Sequence, residues 1–159
     1  SEVLISLFIL IVSLIFRGVF ANVGVNSLKK LTSRTETELD DILLDSLKKP
    51  LGFIPITIGI YLITIFLPLS GLIDLIATNL VKALIVYTIF SALSNLVSPL
   101  FSILSNNTWL TTAMSVWLER SSKVLVWVIG LAIILDIFGI EIGPLIAGLG
   151  LFSLSLIHI

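Results

Sequence analysis

The chain has 159 residues, 57% hydrophobic and 12% charged, with a formal net charge of −1 and a mean hydropathy of +1.20. Soluble domains carry about 25% charged residues, so the composition excludes an ordinary water-facing fold and points to a membrane protein. The near-neutral charge leaves no basic footprint for nucleic acid, and the lack of cysteine excludes disulfide frameworks and thiolate metal sites.

A helix that crosses the hydrocarbon needs about 20 apolar residues, with a range of roughly 17 to 25. Five segments qualify in chain order, which predicts an all-α integral membrane protein of about five transmembrane helices plus a short amphipathic interfacial helix. The first runs from Val3 to about Val25, interrupted by Arg17, whose long side chain can snorkel to the headgroups. No basic run precedes it and no small-residue cleavage site follows, so it does not read as a signal peptide. The second is Leu51 to Leu69, with Pro55 and Pro68 near its ends. The third is Ala83 to Leu104, where Pro99 predicts a kink or a late break. The fourth, Val124 to Ile140, is short and carries Asp136 near its far end. The fifth starts at Gly143 and is still apolar at Ile159. Both ends of the chain fall inside apolar runs, as expected of a piece of a longer protein.

Basic residues fix the orientation. Arg17, Lys29, Lys30, Arg34, Lys48 and Lys49 precede the second span, only Lys82 follows it, Arg120 and Lys123 follow the third, and the last turn has none. This alternation follows the positive-inside rule and predicts an external N-terminus and a cytoplasmic C-terminus. Trp109, Trp117 and Trp127 flank the second cytoplasmic connection, where interfacial aromatics belong. With Arg17, Lys48 and Lys49 they are the expected lipid-interface anchors.

Between the first two spans, Thr35 to Pro50 reads as a surface helix. Thr35 and Glu38 have capping-box spacing, and Leu39, Ile42, Leu43 and Leu47 share one face. Asp40, Asp41 and Asp45 have the spacing of an aspartate-rich diphosphate site, but no second acidic cluster exists and Lys48 and Lys49 stand beside them. A solvated helix face is the expectation, with no metal and no cofactor. The natural divisions are 1–34, the first span and linker; 35–49, the amphipathic helix; 50–123, the second and third spans; and 124–159, the last helix hairpin.

The last hairpin is the most distinctive stretch. Small residues recur at Gly139, Gly143, Ala147 and Gly150 in a segment with no formal charge after Glu141. In lipid, helices associate by close packing across small residues, so this helix is expected to pack on copies of itself or on its neighbours. The bland alternative is one helix of a monomeric bundle. Asp136 is expected at the interface rather than in a proton relay, and His158, the single histidine, is not expected to act as a titrating site. No HExxH, catalytic Ser-His-Asp set or phosphate-cradling loop is present, and Gly148 and Gly150 form only a packing GxG. An enzyme is therefore not predicted.

The stretches TELDDILLDSLKKPLGF and VLVWVIGLAIILDIFGIEIGPLIAGLG, in that order, resemble the bacterial small-conductance mechanosensitive channel (MscS) family, particularly its larger members with extra N-terminal membrane helices. The resemblance covers roughly residues 35–150. It implies a homo-oligomeric channel, heptameric in the family, in the bacterial inner membrane and in contact with lipid. It also implies that residues 50–123 form a tension-sensing paddle. Ala147, Gly150 and Leu154 would line the pore, and Gly139, Gly143 and Gly148 would permit close helix contacts. Beyond Gly150 the sequence departs from the family: Ile157 stands where a small residue is expected and His158 where a leucine is, which points to an altered or truncated end without the family's cytoplasmic domain. Competing expectations are a membrane anchoring or scaffold module and a fragment of a secondary transporter. No internal repeat favours the transporter.

Overall fold

The computed structural model describes residues 1–32, 38–107 and 111–158. Among these residues seven helices follow one another: α1 (Glu2–Thr32), α2 (Glu38–Ser46), α3 (Lys48–Leu51), α4 (Ile54–Phe66), α5 (Leu72–Asn107), α6 (Thr112–Ile137) and α7 (Gly143–Ile157). No strand occurs among the described residues. Three segments are long and apolar enough to cross a membrane: α1, the α3–α4 unit from Lys48 to Phe66, and α5 from Leu72 to Ser105. In α6 the apolar stretch is confined between Lys123 and Asp136, and α7 has 15 residues.

Helices α1, α4, α5 and α6 stand in a row. α1 packs on α4, α4 on α5 and α5 on α6, while α2 and α3 fill the space between α1 and α5 at one end. Along α1 and α4 the neighbours run in opposite directions: Ser13 meets Gly59, Arg17 meets Gly52, and Gly24 meets Leu51. α5 and α6 are antiparallel in the same way, with Phe90 against Gly130 and Ser98 against Glu119 and Lys123.

The interior of this row is built mostly from small residues. Ala21, Gly52, Gly59, Ala83, Ser91, Ser94, Ser115 and Gly130 are buried together with Val25, Val81, Pro50, Pro55 and Pro99, and among the described residues no large side chain is fully buried. Leu, Ile, Val and Phe instead cover the outside along every long helix. A protein folding in water does the reverse, because burying large apolar side chains is its main driving force. Small residues at helix contacts with large apolar ones outside is the arrangement that lipid favours.

Several elements extend beyond their expected limits. α5 begins at Leu72, eleven residues before Ala83, because Gly71 takes φ +65° and turns the chain directly into a helix with Asp74 in its first turn. It continues through Pro99 without a break. α6 begins at Thr112 rather than Val124. The expected amphipathic helix is divided at Leu47 into α2 and α3. Its acidic side faces protein rather than solvent alone, since Asp41 and Asp45 pair with Lys29 of α1 at 3.5 and 3.1 Å. Thr35 of the expected capping box lies outside the described residues.

Candidate functional site

Among the described residues, helix α7 is the one that packs extensively on no other helix. Gly139 at φ +83° ends α6, with the Ile140 amide donating to the Leu135 carbonyl across the turn, a Schellman-type cap. Gly139 therefore serves the turn, and a Cβ there would meet nothing within 4 Å. After the turn, Pro144 sits in the first turn of α7, where its missing amide costs no hydrogen bond. The helix rises about 22 Å over its 15 residues.

No residue of α7 is buried. Ala147, Gly150 and Leu154 fall on one face at i, i+3 and i+7, and Leu154 is 58% exposed. A Cβ added at Gly143, Gly148 or Gly150 would meet nothing within 4 Å. The structure thus gathers the three pore candidates on one stripe and leaves the packing glycines beside them open. A helix that is apolar all round is stable only when it is buried in protein or lipid.

The interface candidates are distributed along the row. The Arg17 guanidinium lies over the Phe53 ring at 5.3 Å, Phe53 meets Tyr87 edge-on at 5.2 Å, and Tyr87 meets Trp127 at 5.5 Å. One cation and three aromatic rings therefore form a continuous belt across α1, the start of α4, α5 and α6. Lys48 and Lys49 are exposed one turn before Phe53. Trp117 is 67% exposed and lies ten residues before Trp127, about 15 Å away along α6, so these two tryptophans occupy different levels. Trp109 lies outside the described residues.

Below the belt is a polar crevice of about 410 Å³ lined by Asp45, Lys48, Lys49, Asn95, Ser98 and Lys123 among others. At its floor the Ser98 hydroxyl donates to a Glu119 carboxylate oxygen, and the Lys123 ammonium donates to both groups, reaching Glu119 at 2.9 Å. The Ser98 hydrogen bond, followed by that from Lys123, holds the Glu119 carboxyl below its ordinary 4.5. The i,i+4 spacing of Glu119 and Lys123 is visible in the sequence. Ser98 is not, because it comes from another helix. Among the described residues no group of three or more His, Cys, Asp or Glu is placed to hold a metal ion. Compared with protein-family models, curated proteins and solved structures, the chain has no match.

Proposed function

We propose that the chain is the transmembrane part of a tension-gated, homo-oligomeric channel of the mechanosensitive kind, with α7 lining the pore. The observation that carries this reading is α7 itself: an uncharged apolar helix, exposed on every side, with small residues along one flank. Copies arranged about an axis cover that flank, and lipid or the row of α1, α4, α5 and α6 covers the remainder. In this reading α6 and α7 join α1, α4 and α5 as crossing helices, making five. The N-terminus lies outside and the C-terminus in the cytoplasm of a bacterial inner membrane. The small-residue interior and large apolar exterior of the row support a lipid surrounding. The family resemblance supplies the number seven for the ring.

The mechanism follows from area. A ring whose pore widens occupies more of the bilayer plane when open, so membrane tension multiplied by that added area shifts the closed–open equilibrium. When closed, a throat at Leu154 is narrow and apolar and excludes ions by dewetting. The test is expression of the full-length parent in cells that lack their own tension-gated channels, followed by sudden dilution. Survival above the empty-vector level is expected, and survival at that level refutes the channel in favour of a scaffold. In patch recordings Leu154→Ser is expected to lower the opening tension, and an unchanged threshold removes Leu154 as the gate.

A further inference from the structure

Two charges lie at one depth in the apolar part of the molecule, and neither makes an ion pair with a described residue. Lys82 is exposed on α5 ten residues below its start, about 15 Å into the span. Asp136 is exposed near the end of α6. The register between these helices follows from Phe90 against Gly130. Six residues beyond Gly130 on α6 is level with six residues before Phe90 on α5, which is residue 84, so Asp136 and Lys82 differ in height by about 3 Å. They point in different directions. Asp136 is about 120° around α6 from Gly130, the residue that faces α5.

Their surroundings are complementary. Lys82 lines an open groove of about 630 Å³ between α4 and α5, walled by Ile58, Ile85 and Ile89 and shared with the hydroxyl-bearing Thr57, Tyr61 and Thr78. Asp136 stands on the outer flank of α6, the last helix of the row, with exposed Ile129 and Ile133 on the same side. The groove is apolar with one positive charge, and the ridge is apolar with one negative charge.

We infer that the ridge of α6 in one copy of the chain docks in the α4–α5 groove of the next, pairing Asp136 with Lys82 across the subunit boundary. The inference rests on the membrane ring proposed above. Rotation about an axis normal to the bilayer leaves every residue at its own depth, so two groups at matching heights that face different ways on one subunit are able to meet in a head-to-tail ring. An unpaired charge set among exposed apolar side chains is costly in lipid, and pairing inside protein is the usual resolution. The same groove carries the hydroxyls of Tyr61 and Thr78.

The chain contains no cysteine, which makes the test direct. Two differently tagged copies, one K82C and the other D136C, are co-expressed and oxidised in the native membrane. A disulfide-linked dimer carrying both tags is expected, with none when either variant is expressed alone. If the mixed dimer is absent while glutaraldehyde still yields higher oligomers, the pairing is overturned and the ring survives. If both treatments give monomer only, the ring fails and the pairing fails with it. Labelling of the Lys82 groove by a photoactivatable phospholipid, without the mixed dimer, also overturns the inference and assigns the groove to an acyl chain. A charge exchange guards against misfolding. K82D and D136K alone are each expected to reduce the oligomer fraction at least fivefold, and the double exchange to restore it to within twofold. A double exchange no better than the single ones refutes the pair.

Discussion

Gly130→Ala tests whether small residues hold the helix row together. A Cβ at this position would lie 2.8 Å from Phe90 Cγ and 3.0 Å from Phe90 Cβ, whereas carbon atoms settle at about 3.5–4.0 Å. Rotating the ring cannot relieve the contact with Phe90 Cβ, which is fixed to the α5 backbone, so α5 and α6 must part by several tenths of an ångström. Overpacking of this kind costs about 1–3 kcal/mol. Replacing a mid-helix glycine by alanine returns about 0.8–1.0 kcal/mol of helix propensity, so the net loss is about 0–2 kcal/mol. A reference variant removes the propensity contribution. Gly18 lies within α1 and has nothing within 4 Å of its Cβ position, so Gly18→Ala collects the propensity gain without the clash. The difference between the two variants is then the clash alone, about 1–3 kcal/mol, or roughly 5- to 150-fold in the unfolding constant. Equilibrium unfolding from mild detergent into SDS, followed by tryptophan emission, measures it. Equal stability of the two variants refutes the tight α5–α6 contact.

A Cβ at Gly148 or Gly150 would meet nothing within 4 Å among the described residues outside its own helix backbone, so the loss caused by Gly148→Ala or Gly150→Ala is assigned to a neighbouring copy. A smaller oligomer fraction with unchanged chain stability is expected, and unchanged oligomers refute close α7–α7 packing. Glu119 gives a pH dependence. Its carboxyl is held below 4.5 in the folded chain, so its contribution is complete above that value and is lost as the pH falls through the lowered folded value. Ser98→Ala removes the leading cause of that shift and is expected to reduce the stability lost between neutral and acid pH, with the onset, which the unfolded carboxyl sets, unchanged. An acid loss as large as the parent's refutes the role of the Ser98 hydroxyl. Arg17→Gln removes the cation over Phe53 and is expected to cost about 0.5–1 kcal/mol in the same unfolding assay, as exposed cation–π contacts do; Arg17→Lys retains the charge and should lose less. Equal stability of Arg17→Gln and the parent refutes the contact.

How much of this was legible in the sequence depends on the range of the interaction. Helical content, a helix between the first two spans and the i,i+4 pair Glu119–Lys123 follow from local spacing and are present in the structure, the helix in two pieces. The long first halves of α5 and α6 were not anticipated, because charges such as Asp74, Lys82, Arg120 and Lys123 mark the end of an apolar run but not the end of a helix. Helix propensity carries the backbone through them. Arg17 was legible as a cation out of place in a span. Its partner Phe53 was not, because only the antiparallel register of α1 and α4 brings the two together.

The glycines show the limit most clearly. A glycine within an apolar helix is a place where another helix can approach, yet the sequence does not say which helix does so. In the fold Gly59 is met by Ser13 and Gly130 by Phe90, both within 3 Å of the missing Cβ, while Gly148 and Gly150 are met by nothing. The first two glycines are therefore used up by the folding of one chain. The same residue type on α7, in a helix that buries no side chain, is left for contacts that a single copy cannot make. This division between satisfied and unsatisfied small faces separates the row from α7. It is also why the row tests by chain stability and α7 by assembly.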